Sequence, residues 1–395
     1  MSVSGVQSDP RVTPYVADIT AWRRDIHQHP ELEYDVHRTA AFVVEKLRSF
    51  GVDEVVEGIG RTGVVGVIKG QSQSSGLCIG LRADMDALPI MEDTQLEYAS
   101  KTAGKMHACG HDGHTAMLLG AAKVLCETRA FNGTAVVIFQ PAEELGAGGQ
   151  AMVQDGLMTR FNIDKVFGMH NLPNMPLGEF GVRGGPIMAA ADTFNVTLTG
   201  QGGHAAMPHL CVDTMLIAAK VITALQHIAA RQTNPIDSVV VSVTAVEGDN
   251  DSYNVLPQTV KLKGTVRSLT PAVQDAAEIQ VKKLITGTAE AYDAQADIEY
   301  RRDYPATINA VEEAQFAASV AAQVVGDNKV DDDIVPMMGA EDFSFMLNER
   351  PGAFIFIGNG ETASLHHPKY NFNDDAIAYG CSYWVTLIES AMPSA

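Results

Sequence analysis

The chain has 395 residues, 46% hydrophobic and 19% charged, with 48 Asp and Glu against 28 Lys and Arg for a formal net charge of −20. That length implies two domains of about 100–200 residues each, or one large discontinuous domain carrying an insertion. So acidic a balance lacks the basic patches that nucleic acid requires, and no window approaches the roughly 18 consecutive apolar residues of a membrane span, so neither partner is expected.

The opening Met1 to Pro10 is polar and lacks the basic start and apolar core of a secretory signal, which implies a cytoplasmic protein. Apolar residues at helical spacing over 16–27 lead into His29-Pro30-Glu31, and a second helix over 37–50 is closed by Gly51. Short β-branched or apolar runs at 64–68 and 77–81, separated by a Gly/Ser/Gln loop, read as neighbouring strands. A helix of small and aliphatic residues is expected over 115–125. The run 135–139, apolar throughout, reads as a strand buried on both faces, and 165–169 as a strand ending at His170.

From Ala191 the pattern changes to alternation: a strand, a loop with His204 and His209, a helix at 214–230, strands at 239–246 and 260–266, a helix at 271–289 and a strand at 296–300. That order is ferredoxin-like, an α+β unit that can be inserted into a larger domain. Beyond Pro305 a helix at 311–324, an apolar strand at 353–357 and a helix at 375–390 return to the α/β pattern of the N-terminal half. The expected fold class is therefore α/β. A domain with a central, mostly parallel sheet is built from residues 1–190 and 302–395, and an inserted ferredoxin-like domain from 191–301.

Chemistry concentrates in Met106-His107-Ala108-Cys109-Gly110-His111-Asp112-Gly113-His114, where three histidines and a cysteine fall within eight residues. Cys and His are donors that zinc and its first-row neighbours accept, and a Cys-x-His pair offers two from one turn. Any one of these residues alone would more often be solvated or hydrogen-bonded. Two donors also leave a metal half-coordinated, so the rest must come from elsewhere. Three strand ends supply candidates: Asp84 and Asp86, Glu143 and Glu144, and His170, at the edge where open α/β sheets place their ligand crevice. Of paired carboxylates, one can bind metal while its neighbour moves a proton, although a Glu-Glu dipeptide is more often a solvated turn. Asp84 and Asp86 offer a ligand or a group that orients a ligand histidine. With Cys109, His111, one of the two glutamates, His170 and one of His366 or His367, the donors number five, about right for two metals sharing ligands. The other cysteines, Cys78, Cys126, Cys211 and Cys381, have no framework spacing and read as reduced thiols, Cys78 and Cys126 in the core.

The combination of Met106-His107-Ala108-Cys109-Gly110-His111-Asp112, Gln140-Pro141-Ala142-Glu143-Glu144, Gly202-Gly203-His204-Ala205-Ala206, Asn254-Val255-Leu256-Pro257, Met338-Gly339-Ala340-Glu341-Asp342-Phe343 and His366-His367-Pro368 resembles the dinuclear-metal amidohydrolases. That family includes hippurate hydrolase, bacterial aminoacylases, N-acetyldiaminopimelate deacetylase and plant auxin-conjugate hydrolases. The resemblance spans nearly the whole chain. It implies a metallopeptidase-like catalytic domain with metal ligands Cys109, His111, Glu144, His170 and His366, and Glu143 as general base. The family's last motif, a His followed by any residue and Pro, selects His366 over His367. The inserted domain would act as lid and dimerisation surface, so a homodimer or higher homo-oligomer is expected. His204 would reach a substrate carbonyl or oxyanion, and Asn254 and Arg267 would bind substrate. The implied reaction is hydrolysis of a small N-acyl amino acid with two divalent ions per subunit; zinc suits the cysteine, while manganese, cobalt or nickel suit the other donors. The alternatives are a dipeptidase or carboxypeptidase of the same fold, or a non-catalytic binder of acylated amino acids.

Overall fold

The structure, a computed structural model, describes residues 9–394. The stretch Met1 to Ser8, on which most of the expectation about a missing signal rests, lies outside the described residues. The main elements in chain order are α1 (Val16–Gln28), α2 (His37–Phe50), β1 (Glu54–Ile59), β2 (Gly63–Lys69), β3 (Cys78–Asp84), α3 (His111–Thr128), β4 (Thr134–Gln140), β5 (Lys165–Leu172), β6 (Ala190–Thr199), α4 (Thr214–His227), β7 (Val239–Gly248), β8 (Thr259–Ser268), α5 (Pro271–Glu290), β9 (Gln295–Tyr304), α6 (Val311–Val325), β10 (Gly352–Gly358) and α7 (Ala376–Ala391). They form two compact units. The first comprises the described chain up to Ile187, Ile308–Val335 and the chain from Asp342 onward; the second comprises Met188–Thr307 with Pro336–Glu341.

In the first unit an eight-stranded sheet runs β1-β2-β4-β3-β5-β10, followed by the short strands Phe180–Gly181 and Val330–Asp331. The four middle strands β4, β3, β5 and β10 are parallel, while β1 and β2 join antiparallel at one side. Parallel strands are buried on both faces, and β10 is buried along its whole length, as its apolar sequence requires; β3 is equally buried, its Arg82 and Asp84 paired with each other. α2 shows why its residues form a helix. Thr39, Val43, Val44 and Leu47 make one buried stripe, and Gly51 closes the helix in the left-handed conformation at φ 78°.

The expectation that 64–68 and 77–81 are neighbouring strands is corrected: β4 lies between β2 and β3. Continuously apolar, β4 is covered on both edges, antiparallel by β2 and parallel by β3. The intervening loop crosses the start of β4, held by Gly70 N–H to Gly133 O at 3.0 Å and Gln71 N–H to Arg129 O at 2.9 Å. A Cβ on Gly70 would lie 2.0 Å from the Phe131 carbonyl oxygen, so only glycine permits that crossing. β1, not expected from the sequence, is a largely exposed edge strand whose pattern carries little apolar signal.

The second unit carries a four-stranded antiparallel sheet in the order β7-β8-β6-β9, the ferredoxin-like order, with α4 and α5 inserted after its first and third strands. Phe194, Val196 and Leu198 alternate inward on β6 and meet Ile217, Val221 and Leu225 of α4 and Val281 and Ile285 of α5 in one core. Gly264 of β8 stands opposite Phe194, whose ring would lie 2.1 Å from any Cβ there, so the glycine makes room for the aromatic.

Candidate metal centre

Three adjacent parallel strands deliver the polar residues. β3 ends at Asp84 with Asp86 just beyond, β4 ends at Gln140 ahead of Glu143 and Glu144, and β5 carries His170 and continues to Leu172. The Cys/His stretch is more helical than expected. α3 begins at His111 rather than at Thr115, because Gly110 takes a left-handed φ of 92° and turns the chain directly into the helix. His111 and His114 thus stand three apart on one helical face. Two non-glycine residues at the site sit at positive φ, Ala142 at 55° just before the glutamates and His366 at 63°, conformations that the surrounding contacts must hold in place.

The donors converge. Cys109 Sγ lies 3.4 Å from His170 Nε2, His366 Nε2 lies 3.3 Å from Glu144 Oε2, and His111 Nε2 lies 3.9 Å from Glu144 Oε1. One ligand atom from each of Cys109, His111 and His170 falls within 4.8 Å of the others; so do Cys109, Glu144 and His366, and so do His111, Glu143 and Glu144. These groups overlap, sharing Cys109, His111 and Glu144, as two neighbouring ions with common ligands require. His367 faces elsewhere, its Nδ1 accepting the Lys369 N–H at 3.0 Å.

The surrounding hydrogen bonds set the protonation of each ring. His111 Nδ1 lies 2.9 Å from the Asp86 carbonyl oxygen, which only accepts, so Nδ1 carries the hydrogen and Nε2 points at Glu144 and, at 3.7 Å, at Asp84 Oδ2. His170 Nδ1 donates to the Asn171 carbonyl at 2.6 Å, which turns its Nε2 lone pair toward Cys109. The Asp86 carboxylate accepts the N–H of Glu143 at 3.0 Å and of Glu144 at 3.1 Å, fixing the turn that carries both. Asp84 is held by His114 Nδ1 at 2.7 Å and Arg82 at 2.6 Å, and Arg82 also pairs with Asp342 at 2.9 Å.

Burial disfavours a charged His111, yet Asp84, Asp86 and Glu144 push it up to about 10, because three carboxylates surround the ring. Burial pushes the His170 imidazole well down and, with Glu144 and Glu143, the Cys109 thiol well up. A hydrogen bond from His366 to Glu144 raises that imidazole. Buried His111 Nε2 and Glu144 Oε1 have no hydrogen-bond partner among the described residues. Buried N, O and S atoms facing one another, two of them without a hydrogen-bond partner, fit divalent metal, which would satisfy the unpaired atoms.

His204 and Asn254 are brought together in the second unit. His204 pairs with Val255 in a two-stranded ladder, and the Ala205 N–H donates to the Asn254 carbonyl at 2.9 Å. Arg267 lies on β8, half-buried and hydrogen-bonded to Thr265 Oγ1 and, at 3.1 Å, to the Val266 carbonyl. Sequence reasoning assigned no role of their own to His114 and Asp342, which it named only within motifs, or to Arg82 and Asn171. His114 carried a signal, lying three residues after His111 at the head of a helix; a lone arginine inside an apolar strand carried a weaker one.

The family model described as Peptidase family M20/M25/M40 matches residues 80–390. Hippurate hydrolase from Campylobacter jejuni is 40% identical over 378 residues, covering 96% of this chain and 97% of that protein. N-acetylcysteine deacetylase from Bacillus subtilis is 37% identical, covering 92% and 94%. The crystal structure of a dinuclear metal binding peptidase of the M20 family, also from Bacillus subtilis, superimposes with a TM-score of 0.84 at 32% identity, covering 97% of this chain and 100% of that one. The strand-end donors, the paired glutamates and the inserted α+β unit thus belong to one recognisable whole, and the chain is a member of the Peptidase family M20/M25/M40.

Proposed function

We propose that this protein hydrolyses the amide bond of N-acyl amino acids, releasing a carboxylic acid and a free amino acid. Cys109, His111, Glu144, His170 and His366 would hold two divalent ions, of which zinc suits the thiolate best and manganese, cobalt or nickel also suit the remaining donors. The observation that carries the reading is the buried pair His111 Nε2 and Glu144 Oε1, 3.9 Å apart, each without a hydrogen-bond partner among the described residues and ringed by the other donors.

Bound metal supplies Lewis acidity, polarising an amide carbonyl and making a water acidic near neutral pH. Glu143, at the end of β4 and held by Asp86 through its backbone, accepts the proton of the attacking water and returns it to the departing amine. Asp86 and Asp84 orient His111 and His114. His204 would stabilise the oxyanion and Asn254 and Arg267 would bind substrate, the Arg267 fork accepting both oxygens of a carboxylate.

The second unit exposes Met207, Leu210, Met215, Leu216, Val246 and Tyr253, apolar surface that suits a homodimer. All five cysteines are free, which suits the reducing cytoplasm.

The test is release of glycine from N-benzoylglycine and of amino acids from an N-acetyl panel, on protein stripped by chelator and restored with zinc, manganese or cobalt. Activity is expected to vanish and return. Turnover of matched free-amine dipeptides instead would mean a peptidase, and tight binding without turnover a binding protein. Glu143→Gln should retain metal and lose about 10²–10⁴-fold in kcat; undiminished turnover in the metal-replete variant would remove Glu143 from the mechanism.

A further inference from the structure

Asn171 follows His170 at the end of β5 and is wholly buried, and every polar group it owns is used. Its carbonyl accepts from His170 Nδ1 at 2.6 Å. Its backbone N–H donates to His114 Nε2 at 2.9 Å, which leaves the His114 hydrogen on Nδ1, facing Asp84. Its side-chain Nδ2 donates to the Cys109 carbonyl at 2.6 Å and lies 3.1 Å from His114 Nε2. Its Oδ1 accepts from the buried Tyr370 hydroxyl at 2.7 Å. The Cys109 carbonyl decides which way the amide lies, because it only accepts and so must face Nδ2; Oδ1 is then left to receive the Tyr370 hydroxyl hydrogen.

The contact is tight as well as saturated. A Cβ on Gly110 would meet Asn171 Nδ2 at 2.3 Å and the Tyr370 hydroxyl oxygen at 2.5 Å, so the Cys109-Gly110 backbone is pressed directly onto this pair. Tyr370 lies four residues after His366, whose backbone N–H donates to the Ala108 carbonyl at 2.8 Å. Three chain segments carrying candidate ligands, those of Cys109, His170 and His366, are therefore tied together through one amide and one hydroxyl.

We infer that Asn171, oriented by Tyr370, is a positioning residue that sets the Cys109 thiol against the His170 ring, so that both are arranged for metal before it arrives. Outer hydrogen bonds of this kind determine ligand direction and tautomer, and losing them typically weakens metal binding 10- to 100-fold. This inference rests on Cys109 and His170 being metal ligands.

The experiment uses the full chain loaded with cobalt. Affinity is measured by chelator competition, and the thiolate-to-cobalt charge-transfer absorption reports the Cys109 bond directly. Tyr370→Phe removes one hydroxyl from a buried site and is the variant most certain to fold; Asn171→Ser keeps a small polar side chain that cannot span the gap. Both are expected to bind cobalt about 10- to 100-fold more weakly and to weaken or shift the absorption. Thermal unfolding of the metal-free proteins accompanies the measurement. Variants with parent affinity and an unchanged absorption, however much their metal-free stability falls, would overturn the inference and leave Asn171 a packing residue. Absence of the absorption from the cobalt-loaded parent would instead overturn the assignment of Cys109 as ligand, and this inference with it.

Discussion

Arg23 illustrates how a single buried charge is kept tolerable. Its guanidinium is fully buried on α1 and lies 2.7 Å from Asp112 Oδ2, an oxygen that also receives His27 Nδ1 at 2.8 Å, and 4.9 Å above the Tyr98 ring. Burial alone would raise the Asp112 carboxyl, but Arg23 and His27 hold it far below the usual range. Replacing Arg23 by Met therefore leaves a buried carboxylate with too little positive charge, and about 3–5 kcal/mol of stability should be lost. Urea unfolding would measure it. The double variant Arg23→Met/Asp112→Asn should recover part of the loss, since the unpaired charge is then gone; equal stabilities for the single and double variants would mean that the charge is not what matters. Because Asp112 stands beside His111 in the first turn of α3, the same pair also anchors the helix that presents the candidate metal donor His111.

At the level of elements, the junction of α2, β1 and β2 is tied by one carboxylate. Asp53 follows Gly51, and its Oδ2 accepts the Lys69 N–H at 2.8 Å and the Arg129 guanidinium at 2.6 Å. Partial burial works against its ionised form, but the Lys69 amide and Arg129 win and its carboxyl sits below the ordinary carboxylate value. A carboxyl whose folded value is depressed stabilises the fold above its unfolded value, near 3.9, and loses that contribution as pH falls through the lower folded value. Asp53→Asn should thus cost about 1 kcal/mol at neutral pH. The deficit should shrink as pH drops below about 4, where the parent carboxyl becomes protonated too. Urea midpoints of both proteins between neutral pH and pH 3 would show this; a pH-independent difference would assign the effect to shape instead of charge.

On the scale of the whole molecule, two units with separate hydrophobic cores divide the work. All the proposed metal ligands, Cys109, His111, Glu144, His170 and His366, lie in the first unit. Metal bound at a hundredfold excess over its Kd adds about 2.7 kcal/mol to whatever folds around it. Calorimetry with and without chelator is expected to lower the transition of the first unit and leave that of the second in place. Equal shifts of both would mean that the two unfold as one cooperative body.

Much of this architecture was legible in the residues. Helical periodicity with Gly51 or Pro271 at its ends, and continuous apolar runs at β4 and β10, arise from local backbone sterics and the need to bury each strand, so they can be read within a dozen positions. So could the placing of carboxylates and a histidine at strand ends, and the motifs that carry the family resemblance. What the sequence alone did not contain is partner choice: β4 slipping between β2 and β3, the exposed edge strand β1, Pro336–Glu341 joining the second unit, and α3 starting at His111. The hydrogen bonds of Asn171 belong to the same class, since Tyr370 lies 199 residues away and Cys109 62. Periodicity reports which face of an element is apolar; which distant polar group meets which is decided by close packing and by the requirement that each buried donor and acceptor find a partner, and only the folded chain brings those together.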